Sequence, residues 1–170
     1  MRSIARIGLF CATATVLATT CTLAMSAATV NVSYVAPEKF VDFGYAPSEL
    51  KSNREALTRH FVKLGERRLR DGQTLDIEVL DVDLAGSARP WRTIAGSEVR
   101  VVRDSDWTRV HVRYTLHGGG MPSRSGDEWI SGIGQSLDPL WRSGSDTLGT
   151  ERRMLDEWYA KRFGKDSTAP

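Results

Sequence analysis

Beyond residue 28 the sequence has no cysteine, since its two, Cys11 and Cys21, both precede that point. That absence excludes disulfide staples, a thiolate nucleophile and zinc–thiolate sites from everything downstream, so stability there has to come from packing. Charge of one sign is equally scarce. The formal net charge of +2 resides in Arg2 and Arg6, because residues 1–28 contain no acid. The remainder balances its acids and bases, which removes the usual signature of a nucleic-acid or anionic-membrane partner. After residue 28 no apolar run reaches the roughly 18 residues of a membrane-spanning helix. The chain also lacks internal repeats and low-complexity tracts.

What the N terminus does have is an address. Arg2 and Arg6 form a positive region, residues 7–23 are uncharged and rich in Leu, Ala, Val and Thr, and Ala24-Met25-Ser26-Ala27-Ala28 offers small residues for cleavage. The pattern predicts a signal peptide over residues 1–28, cut after Ser26 or Ala28, and a soluble protein in the periplasm or secreted beyond it. Lipid attachment at Cys21 fits poorly, because Ala18-Thr19-Thr20 lacks the leucine and tightly constrained small residues that such a site needs. What remains is long enough for one core, a single globular domain over 29–163 that buries roughly 68–70% of its unfolded surface. Residues 164–170 read as a disordered tail.

Alternation of Val30, Val32 and Tyr34 with Asn31 and Ser33 predicts a strand over 29–35. Ser52 and Glu55 stand at the spacing of a capping box, so a helix is expected from there to about Leu69, with Leu57, Phe61 and Leu64 as its apolar stripe and Asp71-Gly72 as its stop. A second strand over 74–84 changes phase: Leu75, Ile77 and Val79 are its apolar set at first, then Leu80, Val82 and Leu84, which predicts a bulge. Residues 85–97 read as a loop, and strands at 98–103 and 107–117 as a hairpin about Asp104-Ser105-Asp106. Gly118-Gly119-Gly120 breaks the chain, a fifth strand follows at about 128–134, and a final helix at about 147–163 docks through residues that include Leu155 and Trp158. The expected fold is α+β, a two-layer sandwich of order βαββββα. Its sheet is mostly antiparallel, with about five strands, both helices lie on one face, and a crossover sets the first two strands parallel. Leu57, Phe61, Val110, Val112, Leu155 and Trp158 are expected to share its core.

Candidate chemistry is sparse. Asp81 and Asp83, two apart near a strand end, project to one face roughly 6–7 Å apart. Such a pair suits a divalent cation or an acid and base pair, or else a structural role in which the carboxylates cap the turn before Gly86. Arg109, His111 and Arg113 form a cationic row on the exposed face of the strand at 107–117, placed to receive carboxylates or phosphates of a partner, or to pair with acids such as Asp76 and Glu78 on a neighbouring strand. His111 and His117 lie six residues apart on that strand, roughly 20 Å, too far to share a metal ion. His60 reads as a packing residue between elements. Gly134-Gln135-Ser136-Leu137-Asp138 lacks the second glycine of a nucleophile elbow, and neither Gly118–Gly120 nor Gly132-Ile133-Gly134 is followed by the residues of a phosphate cradle. Trp91 and Trp141 fall in expected loops as contact residues or buried anchors. The sequon Asn31-Val32-Ser33 lies in an expected strand, where it reads as chance. No catalytic residue, metal site or cofactor is assigned.

Four segments carry a resemblance: Val35-Ala36-Pro37-Glu38-Lys39-Phe40, Asp71-Gly72-Gln73-Thr74-Leu75, Asp81-Val82-Asp83-Leu84-Ala85-Gly86 and Met154-Leu155-Asp156-Glu157-Trp158. With them the chain resembles the proteobacterial domain of unknown function numbered 3016 over nearly its whole length after the leader. The segment at 81–86 is the most specific. The resemblance implies an exported Gram-negative protein of about this length and carries no activity, cofactor or catalytic residue. Two function classes follow: a non-catalytic module that binds an envelope protein or a small ligand, the favoured one, and a divalent-cation-dependent enzyme using Asp81 and Asp83.

Overall fold

The computed structural model describes residues 27–94, 97–101, 103, 105–133 and 148–164. In chain order the elements are β1 (Thr29–Tyr34), a 3-10 turn (Pro37–Lys39), α1 (Pro47–Arg68), β2 (Gln73–Asp83), β3 (Ser87–Ile94), β4 (Ser97–Val101), β5 (Trp107–Gly118), β6 (Arg124–Ile133) and α2 (Gly149–Phe163). Four strands form one mixed sheet in the order β1-β2-β5-β6, and β3 and β4 form a separate ribbon. β1 runs parallel to β2 through the α1 crossover, as expected from the chain order, and the other pairings are antiparallel.

The expected phase change in β2 is a bulge. Its register with β5 shifts between Val79 and Asp81, so that Leu80 is the extra residue. Leu75, Ile77, Val79, Val82 and Leu84 consequently all stay in the core. Without the bulge the run from Leu80 onward would turn Val82 and Leu84 to the opposite face.

Both helices pack on the same face. Leu57, Phe61, Val110, Val112, Leu155 and Trp158 share one core, as the periodicity predicts, joined by Tyr114, Tyr159 and Phe163. The rings there meet mostly edge to face: Tyr114 on Trp158 at 5.6 Å, Trp158 on Phe163 at 5.3 Å. Tyr114 also lies flat over Gly126 of β6, where an added Cβ would stand 2.7 Å from its ring. His60 fills the helix–helix boundary, its Nε2 3.1 Å from the Arg152 carbonyl and 3.2 Å from Asp156.

Four expectations need correction. α1 starts at Pro47, five residues before Ser52. Proline at the first helical position loses no needed hydrogen bond, and Glu49 reaches back to accept the Tyr45 N–H at 2.9 Å. Ser52 and Glu55 therefore lie inside the helix. Residues 87–94, expected within a loop, form β3. The hairpin expected between 98–103 and 107–117 does not form either, because β5 is flanked on both sides by β2 and β6. β4 has no free edge there and turns back on β3 instead, with a register shift between Arg89 and Thr93 around Pro90, which cannot donate to a ladder. β6, finally, extends four residues upstream of its expected start, to Arg124.

Candidate functional site: the uncovered sheet face

The helices leave one face of the main sheet open, and the sequence-derived candidates all stand on it. Cross-strand register builds the site. Asp83 faces Arg109, Asp81 faces His111 and Glu78 faces Arg113 between β2 and β5; on the other side of β5, His111 faces Trp129 and Arg113 faces Asp127 of β6. Such directly opposed side chains are the contact unit of a sheet.

The cationic row is matched along its length. Arg109 donates to Asp83 Oδ2 at 2.7 Å, and Arg113 reaches Glu78 at 3.2 Å and Asp127 at 3.0 Å. His111 Nε2 lies 2.6 Å from Asp127 Oδ1, and its hydrogen bond leads the interactions that hold the Asp127 carboxyl below the usual carboxylate range. His117 stands 3.5 Å from Asp76 and shares no ligand position with His111.

Asp81 and Asp83 share the face but do different work. Asp81 Oδ1 accepts the Val41 N–H at 3.0 Å and the Val82 N–H at 2.8 Å, fixing the chain between the 3-10 turn and α1 against the end of β2. Asp83 is committed to Arg109. Among the described residues neither is seen to cap the turn before Gly86; their partners are the Val41 and Val82 amides and Arg109 instead. Among the described residues no three His, Cys, Asp or Glu side chains gather as metal ligands. Gly118, Gly119 and Gly120 all have positive φ and form a turn.

Sequence reasoning missed the aromatic part of this face. Trp107, Trp129 and Ile133 are 59%, 50% and 42% exposed. Trp107 opposes Ile133 across β5 and β6, Trp129 stacks on His111 with centroids 4.5 Å apart and planes 13° from parallel, and the Arg109 guanidinium sits 5.6 Å from the Trp129 ring. The signal was the alternation Asp127, Trp129, Ser131, Ile133, which becomes readable once β6 begins at Arg124 in spite of Gly126 and Gly132. Trp91 lies in β3, and its side chain falls outside the described residues, as do residues 1–26, where the signal peptide is expected, Gly134–Asp138, Trp141 and residues 165–170.

No helix among the described residues is long and apolar enough to cross a membrane. No curated protein matches the chain. The model of one family, described as protein of unknown function (DUF3016), matches residues 28–161, which takes in every element from β1 to all but the end of α2. The segments that carried the resemblance lie within that match, and the chain belongs to the DUF3016 family.

Proposed function

We propose that the protein is an exported, non-catalytic envelope module that receives a partner, an envelope protein or a small ligand, on its uncovered sheet face. The observation that carries this reading is the trio Trp107, Trp129 and Ile133, left exposed on a face whose charges already satisfy one another. Large apolar side chains grouped on a rigid, otherwise polar surface mark a binding site more often than a solvated face does, and tryptophan and arginine supply most of the energy in such contacts. The ion pairs hold Arg109, His111 and Arg113 in place and so preorganise the platform. Export rests on the leader. Ala28 packs against the core, which favours the cut after Ser26 over the one after Ala28, and a periplasmic or secreted location follows from that cut.

The reading of Asp81 and Asp83 as a catalytic cation site gains nothing from this geometry, since both carboxylates already serve other partners, two main-chain amides on Asp81 and Arg109 on Asp83, and no third ligand joins them among the described residues. Adding calcium, magnesium, manganese or zinc is therefore expected to leave the melting temperature unchanged. A saturable rise that disappears in the Asp81→Asn, Asp83→Asn variant would bring the enzyme reading forward.

The binding reading is tested by a photoreactive residue placed at Ser131, between Trp129 and Ile133, or at Lys63 on the solvent side of α1. Cross-links in living cells should form from position 131, disappear when Trp107 and Trp129 are changed to Ala, and be absent from position 63. Equal labelling from both positions, or labelling at 131 that survives the double change, defeats the proposal.

A further inference from the structure

A second surface stands apart from the open face, at the edge of the sheet. Among the described residues β1 is an edge strand, paired only with β2. The Val35 N–H donates to the Val79 carbonyl, so by alternation along the strand Ser33 and Asn31 also turn their main-chain groups toward β2, while Val30, Val32 and Tyr34 turn theirs outward. Edge strands are ordinarily blunted by charge, proline or a bulge. The other edge, β6, carries Arg124, Asp127 and Glu128 and two glycines. Thr29-Val30-Asn31-Val32-Ser33-Tyr34 has none of these devices.

The edge opens into a groove of about 430 Å³, lined by Val32, Ser33 and Tyr34 on one side and by Arg54, Glu55, Thr58 and Arg59 of α1 on the other. Its shape is fixed beforehand. Tyr34 donates to the Arg54 carbonyl at 3.2 Å and stands 3.1 Å from the Thr58 hydroxyl, and α1 presses on β1 so closely at Gly65 that an added Cβ would meet Val30 at 2.0 Å. The groove carries a surplus of positive charge. Arg59 makes a loose, exposed pair with Glu55 at 3.8 Å, and Arg54 has no ion-pair partner among the described residues.

We infer that this groove takes an extended acidic peptide segment of a partner protein as an added strand beside β1, its main chain bonding Val30, Val32 and Tyr34 and a carboxylate meeting Arg54 and Arg59. Strand addition of this kind draws affinity from main-chain hydrogen bonds and specificity from flanking side chains. Charge argues for the acidic occupant over a second copy of this chain, since pairing β1 with β1 would bring the arginines of two copies together.

The test uses the chain after removal of the leader and two sets of hexapeptides alternating Thr with a varied apolar residue, one ending in Asp with a free carboxylate and the other in Lys with an amidated end. Members of the acidic set should bind at least tenfold more tightly than their lysine counterparts. Binding should slow amide exchange at Val30, Val32 and Tyr34 and leave Arg109, His111 and Trp129 unaffected. The Arg54→Glu, Arg59→Glu variant, altered only at exposed helix positions, should fold normally and lose at least tenfold in affinity. Val32→Pro, which removes one outward donor, serves as a second probe of the edge. No binding by the acidic set, equal binding by the lysine set, affinity untouched by the charge reversal, or self-association through β1 would each overturn the inference. None of these outcomes depends on cross-linking at Ser131, so the two surfaces stand or fall separately.

Discussion

Glu151 stands in the first turn of α2 with 2% of its surface exposed, its Oε1 accepting the Ala85 N–H at 2.9 Å. Burial of the charged form raises its pKa, and the Ala85 amide offsets this only in part. The folded protein thus holds this proton more tightly than the unfolded chain does. The stability linked to it is complete below the ordinary value of 4.5 and is lost as pH rises through the folded value. Glu151→Gln keeps an acceptor for Ala85 and cannot ionise. In urea unfolding the two proteins should match below pH 4.5, and the Gln variant should become the more stable as pH rises. Asp127 has the opposite sign, since its lowered pKa contributes stability that is lost as pH falls, but it is common to both proteins and cancels in the comparison. A Gln variant that is the weaker of the two at pH 8 would mean that the buried charge is itself favourable.

At the scale of elements, Gly65 decides how closely α1 approaches β1. Ala is preferred over Gly inside a helix by about 1 kcal/mol, yet here its methyl would overlap Val30 Cγ2, and overpacking of this kind costs about 1–3 kcal/mol. Gly65→Ala should therefore fail to stabilise the protein. Val30→Ala opens the space, so in that background Gly65→Ala should recover its helical advantage, and a denaturant double-mutant cycle measures the coupling. If the two changes are simply additive, α1 does not rest on Val30. The close approach was not legible in the sequence, because one glycine in a helical run looks the same whether or not a strand lies against it. What was legible followed from local periodicity: Leu57, Phe61 and Leu64 as one stripe, Val110 and Val112 as a core face, and the shift at Leu80 that keeps Asp81 and Asp83 beside Glu78. Non-local competition was not legible. Residues 97–101 turn to β3 because β6, far along the chain, occupies the second side of β5, and Trp129 stayed hidden because glycines weakened the strand that presents it.

At the scale of the whole molecule, the segment Asp81–Gly86, the most specific part of the resemblance, is where the parts are tied together. Asp81 holds Val41, the Val82 carbonyl receives the Asp42 N–H, Asp83 pairs with Arg109, and Leu84 is in the core. Ala85 donates to Glu151 of α2, and Gly86 turns the chain at φ 83°, a conformation that favours glycine. Arg100 of β4 completes the junction: its side chain, 5% exposed, binds both Asp42 oxygens at 2.8 and 2.9 Å and also donates to the carbonyls of Ala85 and Gly86. Among the described side chains the Arg100 guanidinium thus fastens the β3–β4 ribbon to the main sheet, with a fork that no ammonium reproduces. Arg100→Met should cost about 2–3 kcal/mol, somewhat below the ~3–5 kcal/mol for breaking a fully buried pair because Asp42 keeps some exposure to water, and Arg100→Lys should fall between Met and wild type. Limited proteolysis locates the effect. Cleavage between residues 87 and 101 should accelerate in Arg100→Met while the remainder stays resistant, whereas uniform acceleration throughout the chain would show that the ribbon and the main sheet unfold as one unit.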